Sequence, residues 1–159
     1  MKFISINNQQ EIDLELNMSG YADDAEWTKD VRVFLKIKGA SSTAEFGFLA
    51  YLKDGKDDEI SEFIKELHTL FSTLKGKAEL RLNGAEQENF DERSMILSLY
   101  SIDSLGHIAA EITISGSTRY NNTINLPLGV TVAFEIASAT IEEAAFTIEA
   151  LYEGVNINA

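Results

Sequence analysis

Cysteine is absent, proline occurs once, histidine occurs twice, and basic side chains are half as numerous as acidic ones. Each shortage removes a class of function. Without cysteine there are no disulfides, thiolate metal sites or cysteine nucleophiles. Thirteen Lys and Arg face 26 Asp and Glu over 159 residues, a formal net charge of −13. Phosphate contacts depend on Lys and Arg, so nucleic-acid binding is disfavoured. An anionic membrane surface is disfavoured for the same reason. The basic residues also thin out along the chain: Lys77 is the last lysine, and beyond Arg81 only Arg93 and Arg119 remain. No apolar run approaches the roughly 18 residues that span a bilayer. The start, Met1 to Ser5, turns polar at Asn7 and lacks the apolar stretch of a secretory signal. The expectation is a cytoplasmic protein, in which the sequons at Asn17 and Asn121 carry no weight.

What is present is apolar alternation. Ile12, Leu14, Leu16 and Met18 alternate with Glu11, Asp13, Glu15 and Asn17. A period of two puts the apolar set on one face of a half-buried strand. The polar turn Asn7–Gln10 makes a hairpin of Lys2–Ile6 with Glu11–Met18. Val31, Val33, Leu35 and Ile37 repeat the alternation, opposite Arg32, Phe34, Lys36 and Lys38, and Phe46, Phe48, Ala50 and Leu52 form the next inward set. Basic residues of the one strand can face Glu45 or the Glu11–Glu15 row, each pair contributing a few tenths to about 1 kcal/mol.

A helix is predicted after Asp57 or Asp58, either of which can cap it, with the stripe Ile60, Phe63, Ile64, Leu67, Leu70, Phe71 and Leu74 and a stop at Gly76. Ala78, Leu80 and Leu82 return as strand, then a polar loop covers Asn83 to Glu92. Met95–Ile102 is apolar on both faces and reads as a central strand. Ile108, Ala110, Ile112 and Ile114 alternate again, Gly116–Asn122 reads as a turn, and Ile124–Ile136 as a strand interrupted at Pro127, hence bulged or at an edge. A second helix carries a capping-box pair, Thr140 and Glu143, and the face Ile141, Ala144, Ala145, Ile148, Leu151 and Tyr152, with Gly154 as its stop. No internal repeat or linker divides the chain. The expectation is one α+β domain over residues 1–159: a twisted, mostly antiparallel sheet with two helices packed on it.

Reactive frames are missing. His68 and His107 lie on different elements and outside any HExxH pattern. The acidic turn Asp54–Glu59 lacks the ligand order of a calcium loop. Ser104 and His107 share a turn without the G-x-S-x-G frame of a nucleophile elbow. Neither phosphate-loop motif occurs. These readings imply no catalytic residue, metal or cofactor. Two acidic segments that hold aromatics remain as a partner surface: Tyr21, Asp23, Asp24 and Glu26 beside Trp27, and Glu86, Glu88, Phe90 and Asp91. Aromatic anchors ringed by carboxylates suit a basic protein target. The blander reading has the aromatics covering a core edge and the acids solvated.

The order of features carries a resemblance. Trp27 precedes the strand Val31 to Ile37, followed by Phe46-Gly47-Phe48 and a helix ending Leu67-x-x-Leu70-Phe71-x-x-Leu74-x-Gly76. Then come Ala78-x-Leu80, a strand from Ile96 to Tyr100, Leu105-Gly106-His107-Ile108, a long strand and a final helix. Over roughly residues 27–152 this resembles the small bacterial immunity proteins of the WapI type. The resemblance implies a non-enzymatic inhibitor that binds and blocks a toxin effector domain, often a nuclease; the chain itself is expected to be a monomer or homodimer. Binding residues of such proteins vary with the toxin, so none is carried over. The alternative is a ligand-binding or structural β-rich module that oligomerises through an exposed edge.

Overall fold

The structure, a computed structural model, describes residues 1–18, 30–52, 58–84, 93–120 and 124–153. Its elements run β1 (Lys2–Ile4), β2 (Glu11–Met18), β3 (Asp30–Lys38), β4 (Thr43–Tyr51), α1 (Glu59–Thr73), β5 (Lys77–Asn83), β6 (Arg93–Ser101), β7 (Ile108–Tyr120), β8 (Ile124–Ile136) and α2 (Ala139–Tyr152). The fold is α+β, and every strand pairing is antiparallel. The sheet is not single. β1-β2-β3-β4 and β5-β6-β7-β8 form two four-stranded sheets, each followed in the chain by a helix.

The same ββββα order thus occurs twice, although the sequence shows no repeat. The joints between the sheets repeat as well. Ala50, near the end of β4, bridges to Gly84 just past β5, and Ile136, at the end of β8, bridges to Ser5 just past β1. Gly84 is required at its joint: an added Cβ would lie 2.6 Å from the Arg93 carbonyl oxygen. Its amide donates to that same oxygen at 2.6 Å.

Alternation accounts for the core. Ile12, Leu14 and Leu16, then Val31, Val33, Leu35 and Ile37, face inward from the first sheet. Leu80 and Leu82, Met95, Leu97 and Leu99, and Ile108, Ile112 and Ile114 do so from the second. With Ile60, Phe63, Leu67 and Leu70 of α1 and Ile141 and Ile148 of α2 they form one cluster. Each such side chain contributes about 1.5–3 kcal/mol by leaving water. β6 lies between β5 and β7, as its doubly apolar pattern predicts.

The helices touch each other, α1 also meets β5 and β6, and α2 meets β2. Asp58 ties them together. It is fully buried, its Oδ1 accepts from the Ser61 amide at 2.9 Å, and its Oδ2 accepts from the Tyr152 hydroxyl at 3.0 Å. One carboxylate therefore satisfies a helix start and fastens the far end of the other helix.

Four local expectations change. α1 stops at Leu74, in the left-handed region at φ 51°, two residues before Gly76, and Phe71 is 38% exposed at the edge of the apolar stripe. β7 continues through the expected Gly116 turn to Tyr120, because β8 pairs with it residue by residue, Ser117 opposite Pro127. β8 is correspondingly unbroken and stands at a sheet edge, where a missing N–H is tolerated. α2 starts one residue before Thr140, with Ser138 at its N-cap and no side-chain cap bond, so the Thr140–Glu143 box does not form. The expected stop at Gly154 lies outside the described residues.

Asp58→Ala is expected to lower stability by about 2–4 kcal/mol, combining a lost cap with a lost charge-assisted bond. Tyr152→Phe should cost about 1–2 kcal/mol. Urea unfolding of both and of the double variant checks this: the double should fall little further than Asp58→Ala, since both changes act on one carboxylate.

Candidate functional site

Tyr21, Asp23, Asp24, Glu26, Glu86, Glu88, Phe90 and Asp91 lie outside the described residues, as do Trp27 and the calcium-like turn up to Asp57. The described residues that flank the two candidate segments meet at one corner. Met18 pairs with Val31, Val31 with Ala50, Ala50 with Gly84, and the Gly84 amide bonds to Arg93. Arg93 also donates through Nη1 to the Gly47 carbonyl at 3.1 Å, joining β6 to the outer edge of β4.

The unbalanced negative charge of the described surface is concentrated on the helices. α1 and α2 carry Glu59, Glu62, Glu66, Glu142, Glu143 and Glu149 against one lysine, Lys65. Glu59, Glu62 and Glu142 sit in first turns, where the helix dipole favours them. Glu149 sits toward the other end of α2, where it does not, and its partner is His68 of α1 at 3.5 Å. Phe146 is 62% exposed among these acids. Glu142, Glu143 and Glu149 stand four and three residues away, the spacing that places side chains on one helix face. Among the described residues Phe146 does not belong to the core cluster.

The outer face of the first sheet is different. β2 presents Glu11, Asp13 and Glu15, β3 presents Lys38, Lys36, Phe34 and Arg32, and β4 presents Glu45. With Lys2 this makes four acids and four bases, among which Lys2 meets Glu11 at 3.0 Å and Lys36 meets Glu45 at 2.8 Å. The hydrogen bond and charge of each partner raise both lysines and lower Glu45 from their ordinary pKa values. Phe34, 50% exposed, stands opposite Gly47 and covers the place where a side chain would be. Asp13, Glu15, Phe34, Lys36 and Glu45 line an open groove of about 450 Å³.

The second sheet carries hydroxyl pairs, Ser94 with Ser115 at 2.8 Å and Thr113 with Thr131 at 3.0 Å. On β5 it carries Glu79, held by Lys77, Arg81 and Ser98. Lys77 above all, then Arg81 and Ser98, pull its carboxyl to about 2 against the opposing effect of burial.

The His107 ring meets a carboxylate. Its Nδ1 lies 2.7 Å from Asp103 Oδ2, in an exposed turn where Asp103 also accepts from the amides of Leu105 and His107. Asp103 therefore organises the turn. Its carboxyl is lowered against desolvation, by those two amides and by the imidazole. Among the described residues no group of three or more His, Asp or Glu is placed to hold a metal, and no helix is long and apolar enough to cross a membrane.

Phe146 and Phe34 are the surface aromatics that the partner reading passes over. Both carry a signal in the pattern. Phe146 falls off the Ile141–Ala145–Ile148 stripe, and Phe34 falls on the charged side of an alternating strand. Protonating Glu79 should destabilise the protein. Its folded pKa is depressed, so its contribution is complete above about pH 4.5 and disappears as the pH falls toward about 2. Glu79→Gln is expected to flatten stability over that window by about 1 kcal/mol after solvent screening, measured by denaturant unfolding at a series of pH values. No family model, curated protein or solved structure matches the chain.

Proposed function

We propose that this chain is a non-enzymatic binding protein of the immunity type, which docks its acidic helices onto a basic effector domain and blocks it by occupying its surface. The observation that carries the reading is Phe146, largely exposed and set among Glu142, Glu143 and Glu149 on a helix with no lysine or arginine. A buried aromatic anchor supplies most of the energy of such an interface, and the surrounding charges speed encounter and select a basic partner. A groove that handles phosphates is itself basic, so a nuclease is the class of effector that six helix carboxylates fit best.

Titration calorimetry against a toxin effector domain encoded beside this chain should show one-to-one binding that weakens as salt is raised. Phe146→Ala should cost about 2–4 kcal/mol of binding while leaving the melting temperature unchanged. Glu142→Lys with Glu143→Lys should slow association roughly tenfold at low salt. Salt-insensitive binding, or none, would overturn the proposal.

A further inference from the structure

Each sheet of this fold ends in strands whose outer amides and carbonyls need an answer. At β5 the Glu79 amide donates to Glu66 of α1 at 2.7 Å. At β4 the Gly47 carbonyl takes the Arg93 guanidinium. β1 is three residues long and ends at the bridge from Ser5. β8 is thirteen residues long, and its outer edge meets the rest of the described structure only near its end, where the Ile6 amide donates to the Glu135 carbonyl at 3.1 Å.

That bond fixes which groups face outward. In a strand the N–H and C=O of one residue point the same way and alternate residues point oppositely. Glu135 faces out, so Ala133, Thr131 and Gly129 do too, and Pro127 shares their parity. The missing donor of Pro127 therefore spares the ladder to β7 and closes the outward edge at that end. No further bond to the outward groups of Gly129, Thr131 or Ala133 occurs among the described residues. All three residues are exposed, and nothing lies within 4 Å of a Cβ built on Gly129.

We infer that this edge pairs with the β8 edge of a second copy of the chain. Charge decides for a second copy. From Ile124 to Phe134 there is no ionisable side chain, in a protein of net charge −13. Antiparallel pairing about a twofold axis at Thr131 sets Thr131 against Thr131 and Gly129 against Ala133, small residues that leave the backbones room to meet. About six hydrogen bonds then join the copies. The nearest charges on the strand, the two Glu135 carboxylates, stand eight residues apart along the ladder, roughly 27 Å, beyond the screening length of physiological salt. A basic partner would find no carboxylate on this strip to recognise. The inference rests on β8 alone and not on the reading of α2.

Sedimentation of the full chain over a concentration series tests it. Dimer should form, and should form more readily at ~0.5 M than at ~0.05 M salt, because salt screens the repulsion of two acidic bodies. Docking of a basic partner on the helices has the opposite salt dependence. Ala133→Pro, which removes an outward amide, and Thr131→Lys, which sets two lysines face to face, should each leave a folded monomer. Amide exchange at Thr131 and Ala133 should slow as wild-type concentration rises, which reads the edge even if a variant folds poorly. A chain that stays monomeric at both salts overturns the inference, as does dimer that survives both substitutions. Protection of these amides that does not change with concentration also overturns it, because the edge is then covered within one chain.

Discussion

Burial of one face of each sheet is the constraint on which the rest depends. Every second residue along the strands enters a common core, and neither sheet could hide that face alone. The two sheets meet at their edges through the Ala50–Gly84 and Ser5–Ile136 bridges, and both helices close on the same interior. Because the apolar residues are committed inward, the outer faces are released from any packing duty. They can be charged, balanced or neutral without disturbing the fold.

The three surfaces that result differ in kind. The first sheet is laced with opposite charges in register, which water screens and which leave little net charge there. The second sheet mixes hydroxyl pairs on β6, β7 and β8 with the Lys77–Glu79–Arg81 ion pairs on β5. The helices carry the excess of carboxylates. The described surface therefore differs in chemistry from side to side, and its unbalanced carboxylates lie mainly on the helices.

Strands and helices were legible because the alternation from Glu11 to Ile37 and the stripe from Ile60 to Leu70 are periodic signals that burial enforces. Lys36 with Glu45 was legible for the same reason, since adjacent alternating strands bring such residues together. The division into two sheets was not, because a bridge such as Ala50 with Gly84 is a single contact between residues 34 apart that leaves no periodic trace. The continuation of β7 through Gly116 was missed because glycine and serine read as a turn when no partner strand is in view. Asp58 was visible as a cap, but its bond to Tyr152 joins residues 94 apart. At the surface, acid-rich segments drew attention to Tyr21 and Phe90, whereas exposed Phe146 emerged only once the core-facing side of α2 was known.

The doubled ββββα order has a consequence for symmetry. Two identical protomers arranged in this way would display every feature twice. Here one polypeptide supplies both units, and their residues have little in common: nine of the thirteen cationic side chains precede Gly76, and α2 has none. The order of elements repeats while the cationic residues do not, so the second unit copies the form of the first without copying its charge.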